Sequence, residues 1–546
     1  MSEPLTVPTT LGQRIAKLLP AARDGRLGRL RRGIEKEGLR VDASGHVAQT
    51  PHPEALGSKL THPHITTDYS EALLEYVTPV LSEPREALAF LSDLHAYSYR
   101  HLDGEWIWPA SMPSRLSGNA SVPIADYGTS NSGIMKHVYR KGLDVRYGRI
   151  MQAIAGVHYN VSLPDEMWQA LREVEGQSDT AFKDYRSTRY FSLIRNFRRH
   201  SWLLLYLFGA SPAIDKSFLD GKPVPSKLEP LGDDTYMAPY ATTLRMSDLG
   251  YQNSVQEQLK ICFNSLSNYV NTLRNAISTP WPDYQAKGVK VDGDWRQLNA
   301  NILQIENEYY SDIRPKRVAR SGETPSQALE AQGVEYIEVR CLDLDPFEPL
   351  GVSEPQMRFL DTFLMWCLLS ESPWISDEEC DHLDDNRRLV VERGRDPALR
   401  LNKDGGAISL RQWGEQIVAE MQPVAELLDA DEDGTPHLDA IAALAPRLQD
   451  ASLTPSARLL ERLREENGSF ADVVMSLARE QADMLRRQPA TTTRESLMEQ
   501  QAVTSRQQQR DMDAADEPCF DRFLEDYFAQ ARESHAVTPL SMGAAR

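Results

Sequence analysis

At 546 residues the chain has length for roughly two to four domains, and a hydrophobic share of 41% excludes global disorder. A formal net charge of −19 disfavours nucleic acid as the main partner, because phosphate binding calls for a basic surface. The five cysteines (Cys262, Cys341, Cys367, Cys380 and Cys519) include no C-x-x-C pair, which argues against a zinc knuckle or disulfide scaffold and fits reduced thiols in a cytoplasmic protein.

In chain order, M-S-E-P-L-T-V-P-T-T has no basic start followed by an apolar core, so no secretory signal is read there. Residues 9–30 read as an amphipathic helix with Arg23, Arg26 and Arg29 toward its end. A strand follows in R-R-G-I-E-K-E-G-L-R. Over 65–80 (I-T-T-D-Y-S-E-A-L-L-E-Y-V-T-P-V) helix and strand patterns compete, since Glu71 and Glu75 share a face in either. The β-branched and aromatic residues at both ends favour a strand or a strand-edge bulge. Residues 84–101 read as a helix with Leu88, Leu91 and Leu94 on one side.

The stretch 109–134 is dense in Gly, Pro, Ser and Asn, and so long a loop in a compact protein is usually functional. A second long loop is read at 214–243. Between them, the apolar run 202–213 falls short of the roughly 20 residues a bilayer span needs, so it is a buried element. Strands are read at 154–163, 301–310 and 333–343. The long crossovers between them predict mixed or antiparallel pairing rather than a regular βαβ alternation. From about 354 helical patterns dominate: 356–369, 410–428, 456–466, 470–487 and 494–532. The Gln-, Glu- and Arg-rich part, 494–511, reads as a solvated helix, and the last dozen residues as a frayed end.

Three strand-like stretches each carry polar groups two residues apart: Glu35 and Glu37, His158 and Asn160 (G-V-H-Y-N-V-S-L), and Glu338 and Arg340 (E-Y-I-E-V-R-C-L). That spacing puts each pair on one strand face, with Val157, Tyr159, Val161, Ile337 and Val339 on the other. A face holding carboxylates, an imidazole and a guanidinium is no ordinary core, because unpaired buried charge is too costly. Two readings stay open. The pairs are either surface charges and structural ion-pair ladders, or a surface for metal-bound nucleotide, with Asp68 and Glu75 adding oxygen ligands and Arg340 neutralising a phosphoryl group.

There is no G-x-x-x-x-G-K-[ST] loop and no G-x-G-x-x-G after a strand, so any ATP chemistry uses another cradle. His62-x-His64 has metal-like spacing but sits in a proline-broken turn and reads as structural. Tyr139, Tyr251 and Tyr310 read on their own as core residues.

Taken together, the segments R-G-I-E-K-E-G-L-R, H-P-E-A-L-G-S-K-L-T-H, Y-G-T-S-N, G-V-H-Y-N-V-S-L-P, Y-L-F-G-A-S-P-A, Y-A-T-T-L-R-M-S-D-L-G-Y, L-Q-I-E-N-E-Y-Y, I-R-P-K-R and E-Y-I-E-V-R resemble the gamma-proteobacterial type of glutamate–cysteine ligase. The likeness runs from about residue 20 to about 370 and more weakly to about 530. It implies an α+β fold, a glutamine-synthetase-like catalytic domain whose curved, largely antiparallel sheet forms a funnel, plus a helical C-terminal region. The corresponding divisions are an N-terminal helical segment at 1–30, the catalytic core at 31–353, the helical region at 354–534 and a tail at 535–546.

The resemblance also implies site roles. Glu35, Glu37, Asp68, Glu75, His158 and Glu338 fall on the family's metal-ligand positions, for two to three Mg²⁺ or Mn²⁺ ions. Arg340 falls on the arginine that meets the transferred phosphoryl group, with Asn160 as a supporting contact to the ATP site. Tyr69, Tyr139, Leu143, Gln152, Arg245, Tyr251 and Tyr310 fall on positions lining the amino-acid end, chiefly the cysteine pocket; the family often carries phenylalanine where Tyr69 stands.

The implied activity is ATP-dependent joining of the L-glutamate side-chain carboxylate to the amino group of L-cysteine through an acyl phosphate. The loops 109–134 and 214–243 are candidate lids. Feedback by glutathione is implied as plausible, and a monomer is compatible with the sequence. Alternatives are a related glutamate–amine ligase of the same fold, or a metal-dependent hydrolase using the same carboxylates. The length leaves no room for a second synthetase behind the first.

Overall fold

The computed structural model describes residues 10–533 apart from 251–254, 256–258, 260, 262, 321–322, 467, 489–491 and 516–517. Its centre is a seven-stranded antiparallel sheet built from β1 (Arg31–Val41), β2 (Ile65–Thr67), β3 (Leu73–Val77), β4 (Trp106–Ile107), β5 (Val157–Ser162), β6 (Ile313–Lys316) and β7 (Tyr336–Leu342). The order across it is β6-β7-β5-β1-β3-β2, with β4 pairing the far end of β1. The α+β architecture and antiparallel pairing expected from the sequence are those observed.

Helices cover the back of the sheet. Helix 354–369 (Glu354–Leu369) is buried from Gln356 onward, as a helix surrounded by others must be. It packs against helices Phe182–His200, Pro84–His101, Leu410–Leu428 and Pro436–Leu444. The back face is more polar than its apolar pattern suggests. Arg32, Lys36 and Arg40, four residues apart along β1, all point into it, and each has a partner. Arg32 Nη2 donates to Asp361 Oδ2 at 2.8 Å, while Tyr159 donates its hydroxyl to Asp361 Oδ1 at 2.8 Å. Lys36 Nζ lies 3.0 Å from His95 Nε2, and burial lowers its pKa to about 7. Arg40 Nη1 donates to Glu105 Oε2 at 2.6 Å.

Several expected elements differ. The segment 65–80 is a hairpin, with Asp68 to Ala72 as the connection; Glu71 therefore leaves the sheet and pairs with Lys59. The expected strand at 301–310 is irregular, with one short helical turn at Glu306–Glu308, because side chains take its backbone groups: Glu308 accepts the Gln304 N–H and Asn299 donates to Gln304 O. The loop 214–243 holds most of a separate three-stranded sheet, Ala213–Asp215, Glu229–Leu231 and Thr235–Met237. In the other candidate lid, Ala110, Ser111, Met112 and Ser114 are fully buried, and a helix, Asn131–Tyr147, begins before 134. The helix expected over 494–532 is two, Thr492–Asp513 and Phe520–Glu533. The first is not solvated all round, since Met498, Ala502 and Ser505 are buried. Among the described residues no helix is long and apolar enough to cross a membrane.

The Arg32–Asp361 pair ties the sheet to its central helix with both side chains at most 4% exposed. Asp361→Ala strands a buried guanidinium and is expected to cost about 3–5 kcal/mol of stability. Denaturant unfolding checks this; an unchanged midpoint would show that the pair does not hold the two layers together.

Candidate functional site

Opposed residues in an antiparallel pair share a face with their Cβ atoms about 4.5–5.5 Å apart, so strand register decides which polar groups meet. Glu338 of β7 stands opposite Arg314 of β6 and Asn160 of β5. His158 of β5 stands opposite Glu35 of β1, and Glu37 opposite Glu75 of β3. The period-two pairs read from the sequence thus meet on one face. The register of β7 shifts between Val339 and Leu342, and a bulge re-aims nearby side chains. Arg340 lies in that shifted stretch.

The contacts centre on His158. Its Nδ1 lies 3.3 Å from Glu35 Oε2 and 3.6 Å from Glu338 Oε1, and its Nε2 lies 3.7 Å from Glu37 Oε1. Arg340 Nη1 donates to Glu338 Oε1 at 2.9 Å and stands 3.4 Å from His158 Nδ1. Asn160 donates its amide to Glu35 Oε1 at 2.9 Å, which orients that carboxylate. Glu37 Oε2 accepts the Gly156 N–H at 2.7 Å. One ligand atom each from Glu35, His158 and Glu338 lies within 4.8 Å of the others. Among the described residues Glu338 Oε2 is buried with no hydrogen bond, Lys316 Nζ standing 3.4 Å away, and the buried Asn160 Oδ1 accepts no hydrogen bond.

Charge divides these carboxyls. Burial works to raise the Glu338 pKa, but Arg340, then Lys316 and His158, hold it well below the usual range. Burial also opposes ionisation of Glu35, yet the His158 hydrogen bond brings its pKa below the ordinary value. Glu75 is pushed well up, first by burial and then by Asp68, Glu35 and Glu37. Glu37 is raised by burial, with Asp68 adding and His158 opposing. The donor set of two carboxylates and an imidazole, with an unmet oxygen among them, fits a divalent cation.

Beside this cluster lies a cavity of about 130 Å³. Glu37, Asp68, His158 and Arg340 line it, together with Tyr69, Tyr139, Leu143, Gln152, Arg245 and Tyr310. Tyr139 and Leu143 are one turn apart on helix Asn131–Tyr147. Arg245 lies over Gly156, where a Cβ would come within 2.2 Å of its guanidinium, and it donates to Arg340 O at 3.0 Å. Tyr310 donates to Met246 Sδ at 2.9 Å, and burial raises its pKa to about 12. Tyr251 lies outside the described residues. His62 is structural, its Nδ1 accepting the N–H groups of His64 and Ile65.

Sequence reasoning missed several neighbours. Arg140, Tyr147, Met151, Asn307, Glu308 and Arg314 also line the cavity. Arg140 and Tyr147 extend the Tyr139–Leu143 stripe of a helix that was not read. Arg314 and Lys316 carry the same period-two signal in I-R-P-K-R that marked the other pairs. Lys136, whose pKa burial and Arg140 lower to about 8, faces Glu75 from the same helix.

The sequence model of the glutamate-cysteine ligase family matches residues 15–390. The glutamate–cysteine ligase of Pseudomonas aeruginosa (strain LESB58) is 49% identical over 519 residues, 95% of this chain and 98% of that one. The glutamate–cysteine ligase of Pseudomonas putida (strain W619) is 50% identical over 499 residues, covering 91% and 94%. Among solved structures, the glutamate–cysteine ligase of Francisella tularensis in complex with AMP is similar at a TM-score of 0.86 and 36% identity, covering 92% of this chain and 98% of that one. A bifunctional glutathione synthetase from Pasteurella multocida is similar at 0.69 and 25% identity; the likeness covers 87% of this chain and 55% of that longer one.

Because Glu37 and Glu75 hold their protons to higher pH than ordinary glutamates, a cation held at this face would compete with protonation. Mn²⁺ affinity is expected to rise with pH and binding to release protons. Calorimetric titration in two buffers of different ionisation enthalpy measures this, and pH-independent binding without proton release would contradict it.

Proposed function

The chain belongs to the glutamate–cysteine ligase family, and from that premise we propose how its polar sheet face and cavity divide the work. The protein joins the side-chain carboxylate of L-glutamate to the amino group of L-cysteine, giving γ-glutamylcysteine, ADP and phosphate, the first step of glutathione synthesis. ATP binds; the similar Francisella enzyme carries AMP. In our reading the catalytic core is 31–353, and the helical region 354–534 packs on it.

Carboxylate and amine do not condense in water unaided. Transfer of the ATP γ-phosphoryl to the glutamate side-chain oxygen gives an acyl phosphate and ADP. The cysteine nitrogen then attacks the acyl carbon, phosphate leaves with the bonding pair, and the nitrogen sheds its proton. We assign Glu35, Glu37, Asp68, Glu75, His158 and Glu338 to hold two to three Mg²⁺ or Mn²⁺ ions. When bound, such ions offset the repulsion between the carboxylate nucleophile and the triphosphate. Arg340, anchored on Glu338 and always charged, neutralises the phosphoryl group as it moves. Asn160 orients Glu35 with its amide N–H, and its unpartnered Oδ1 is offered to the nucleotide side.

Tyr69, Tyr139, Leu143, Gln152, Arg245 and Tyr310, with Tyr251, form the amino-acid end in this reading. The cavity is well below the roughly 300–1,000 Å³ of drug-sized ligand sites, so it suits a small amine. Glutathione contains the γ-glutamylcysteine unit, and we propose that it competes here.

The observation that carries the metal and phosphoryl assignment is the buried Glu338 carboxylate beside Arg340 and His158, whose Oε2 has Lys316 Nζ 3.4 Å away but no hydrogen bond among the described residues. Glu338→Gln is expected to lower Mg²⁺-dependent ADP release more than about 100-fold while leaving the melting temperature near that of the parent. Near-normal turnover at saturating Mg²⁺ would overturn the assignment. Comparing cysteine with 2-aminobutyrate, alanine and polyamines in the same assay, with and without glutathione, tests the amine end and feedback together.

A further inference from the structure

We propose that helix Thr492–Asp513 is a positioning clasp for the amine-binding wall of the cavity, acting through Asp513 and Gln509. The proposal rests on the assignment of that wall to the amino-acid end. Asp513 Oδ1 accepts the backbone N–H groups of Thr129 (2.9 Å) and Ser130 (2.8 Å). Ser130 caps helix Asn131–Tyr147, its hydroxyl accepting the Gly133 N–H at 3.3 Å. Asp513 thus sets a carboxylate at the positive end of the helix that carries Tyr139 and Leu143, through hydrogen bonds strengthened by its charge.

Gln509 grips two further loops. Its amide donates to Tyr127 O at 3.1 Å, and its oxygen accepts from the Ser58 hydroxyl at 2.5 Å. Tyr127 carries the connection inward: its buried hydroxyl lies 2.8 Å from Thr67 O and 3.0 Å from Asp68 O, and its one proton is shared between them. Arg140 Nε also donates to Asp68 O, at 2.5 Å. The backbone presenting Asp68 and Tyr69 to the cavity is therefore held by Tyr127, and Tyr127 by helix Thr492–Asp513.

Gly128 makes the close approach possible. It has φ +89°, and a Cβ there would stand 2.5 Å from Gln509 Nε2 and under 3 Å from the Asp513 carboxylate. One helix thus ties together the two segments that form the Asp68–Tyr69 and Tyr139–Leu143 sides of the wall. Lys316 on β6 and Arg340 on β7 have no part in this chain of contacts, and of the residues assigned to the ions it reaches only the Asp68 backbone; Asp513 itself bonds only the Thr129–Ser130 start of helix Asn131–Tyr147, so its loss acts on the amine wall.

Steady-state ADP release with the full chain separates these outcomes. Asp513→Ala is expected to raise the KM for cysteine about tenfold, with kcat and the KM for ATP within about twofold of the parent, since small misplacements of a substrate-holding wall have effects of this order. Asp513→Asn, whose amide oxygen accepts the same two N–H groups, is expected to recover most of the loss. Gln509→Ala, which leaves Asp513 in place, gives a smaller shift in the same direction and remains informative should Asp513→Ala fail to fold. An unchanged KM for cysteine in Asp513→Ala and Gln509→Ala, or KM values for cysteine and ATP that rise together, overturns the clasp. Leu143→Ala tests the wall itself. If it raises the KM for cysteine while the clasp variants do not, the clasp alone is wrong; if it too changes nothing, the assignment of the amine end fails with it.

Discussion

The constraint on which the structure depends is the cost of burying like charge. Glu35 and Glu37 on β1, Glu75 on β3 and Glu338 on β7 share one sheet face, with Asp68 at the neighbouring turn, in a setting where each ionised carboxylate loses most of its hydration. The fold meets that cost unevenly. Glu338 is kept ionised by Arg340 and Lys316, and Glu35 by His158, whereas Glu75 and Glu37 are driven toward the neutral acid. Protons thus do part of the balancing that cations do in the proposed function.

The same constraint shapes the back of the sheet by an opposite solution. Arg32, Lys36 and Arg40 are single cations met by Asp361, His95 and Glu105, with further oxygen acceptors on the two arginines. The Arg32–Asp361 and Lys36–His95 contacts tie helices Glu354–Leu369 and Pro84–His101 to the sheet. The rigid backing matters at the front, since Tyr159, which bonds Asp361, lies between His158 and Asn160 on β5. The side chains facing the cavity are held by neighbours facing away from it.

Much of this was legible in the sequence, because a strand has a period of two and charged residues at that spacing are conspicuous. The pairs on β1, β5 and β7 were read from that signal alone. Arg314 and Lys316 carry it too, but Pro315 between them argues against a strand; β6 tolerates the proline because it is an edge strand. Helix Asn131–Tyr147 escaped for a related reason. Gly133 and Gly142 weaken its helical pattern, yet at Gly142 a Cβ would come within 2.0 Å of the Gln304 side chain. The glycine that hides the helix from sequence reading is what lets the 301–310 segment dock on it. That docking, with Glu308 bonded to Arg146 at 2.9 Å, in turn replaces the strand the alternation there suggested. What stayed hidden were tertiary contacts that override local pattern.

The tyrosines of the cavity show how such a wall stays responsive to a substrate. Tyr147 is committed, donating at 2.6 Å to the Glu308 carboxylate that also holds Arg146. Tyr310 donates to the thioether of Met246, while the hydroxyl of Tyr69 is buried with no hydrogen-bond partner among the described residues. A hydroxyl bound to a carboxylate has little to gain from a ligand, whereas one with no partner gains a full hydrogen bond. In the proposed amino-acid end, selectivity therefore falls to Tyr69, where a polar atom of the amine substrate meets a group the fold has left unsatisfied. An apolar amine of the same size would leave it so, and discrimination built on an unmet polar group is stronger than discrimination by the fit of a methylene.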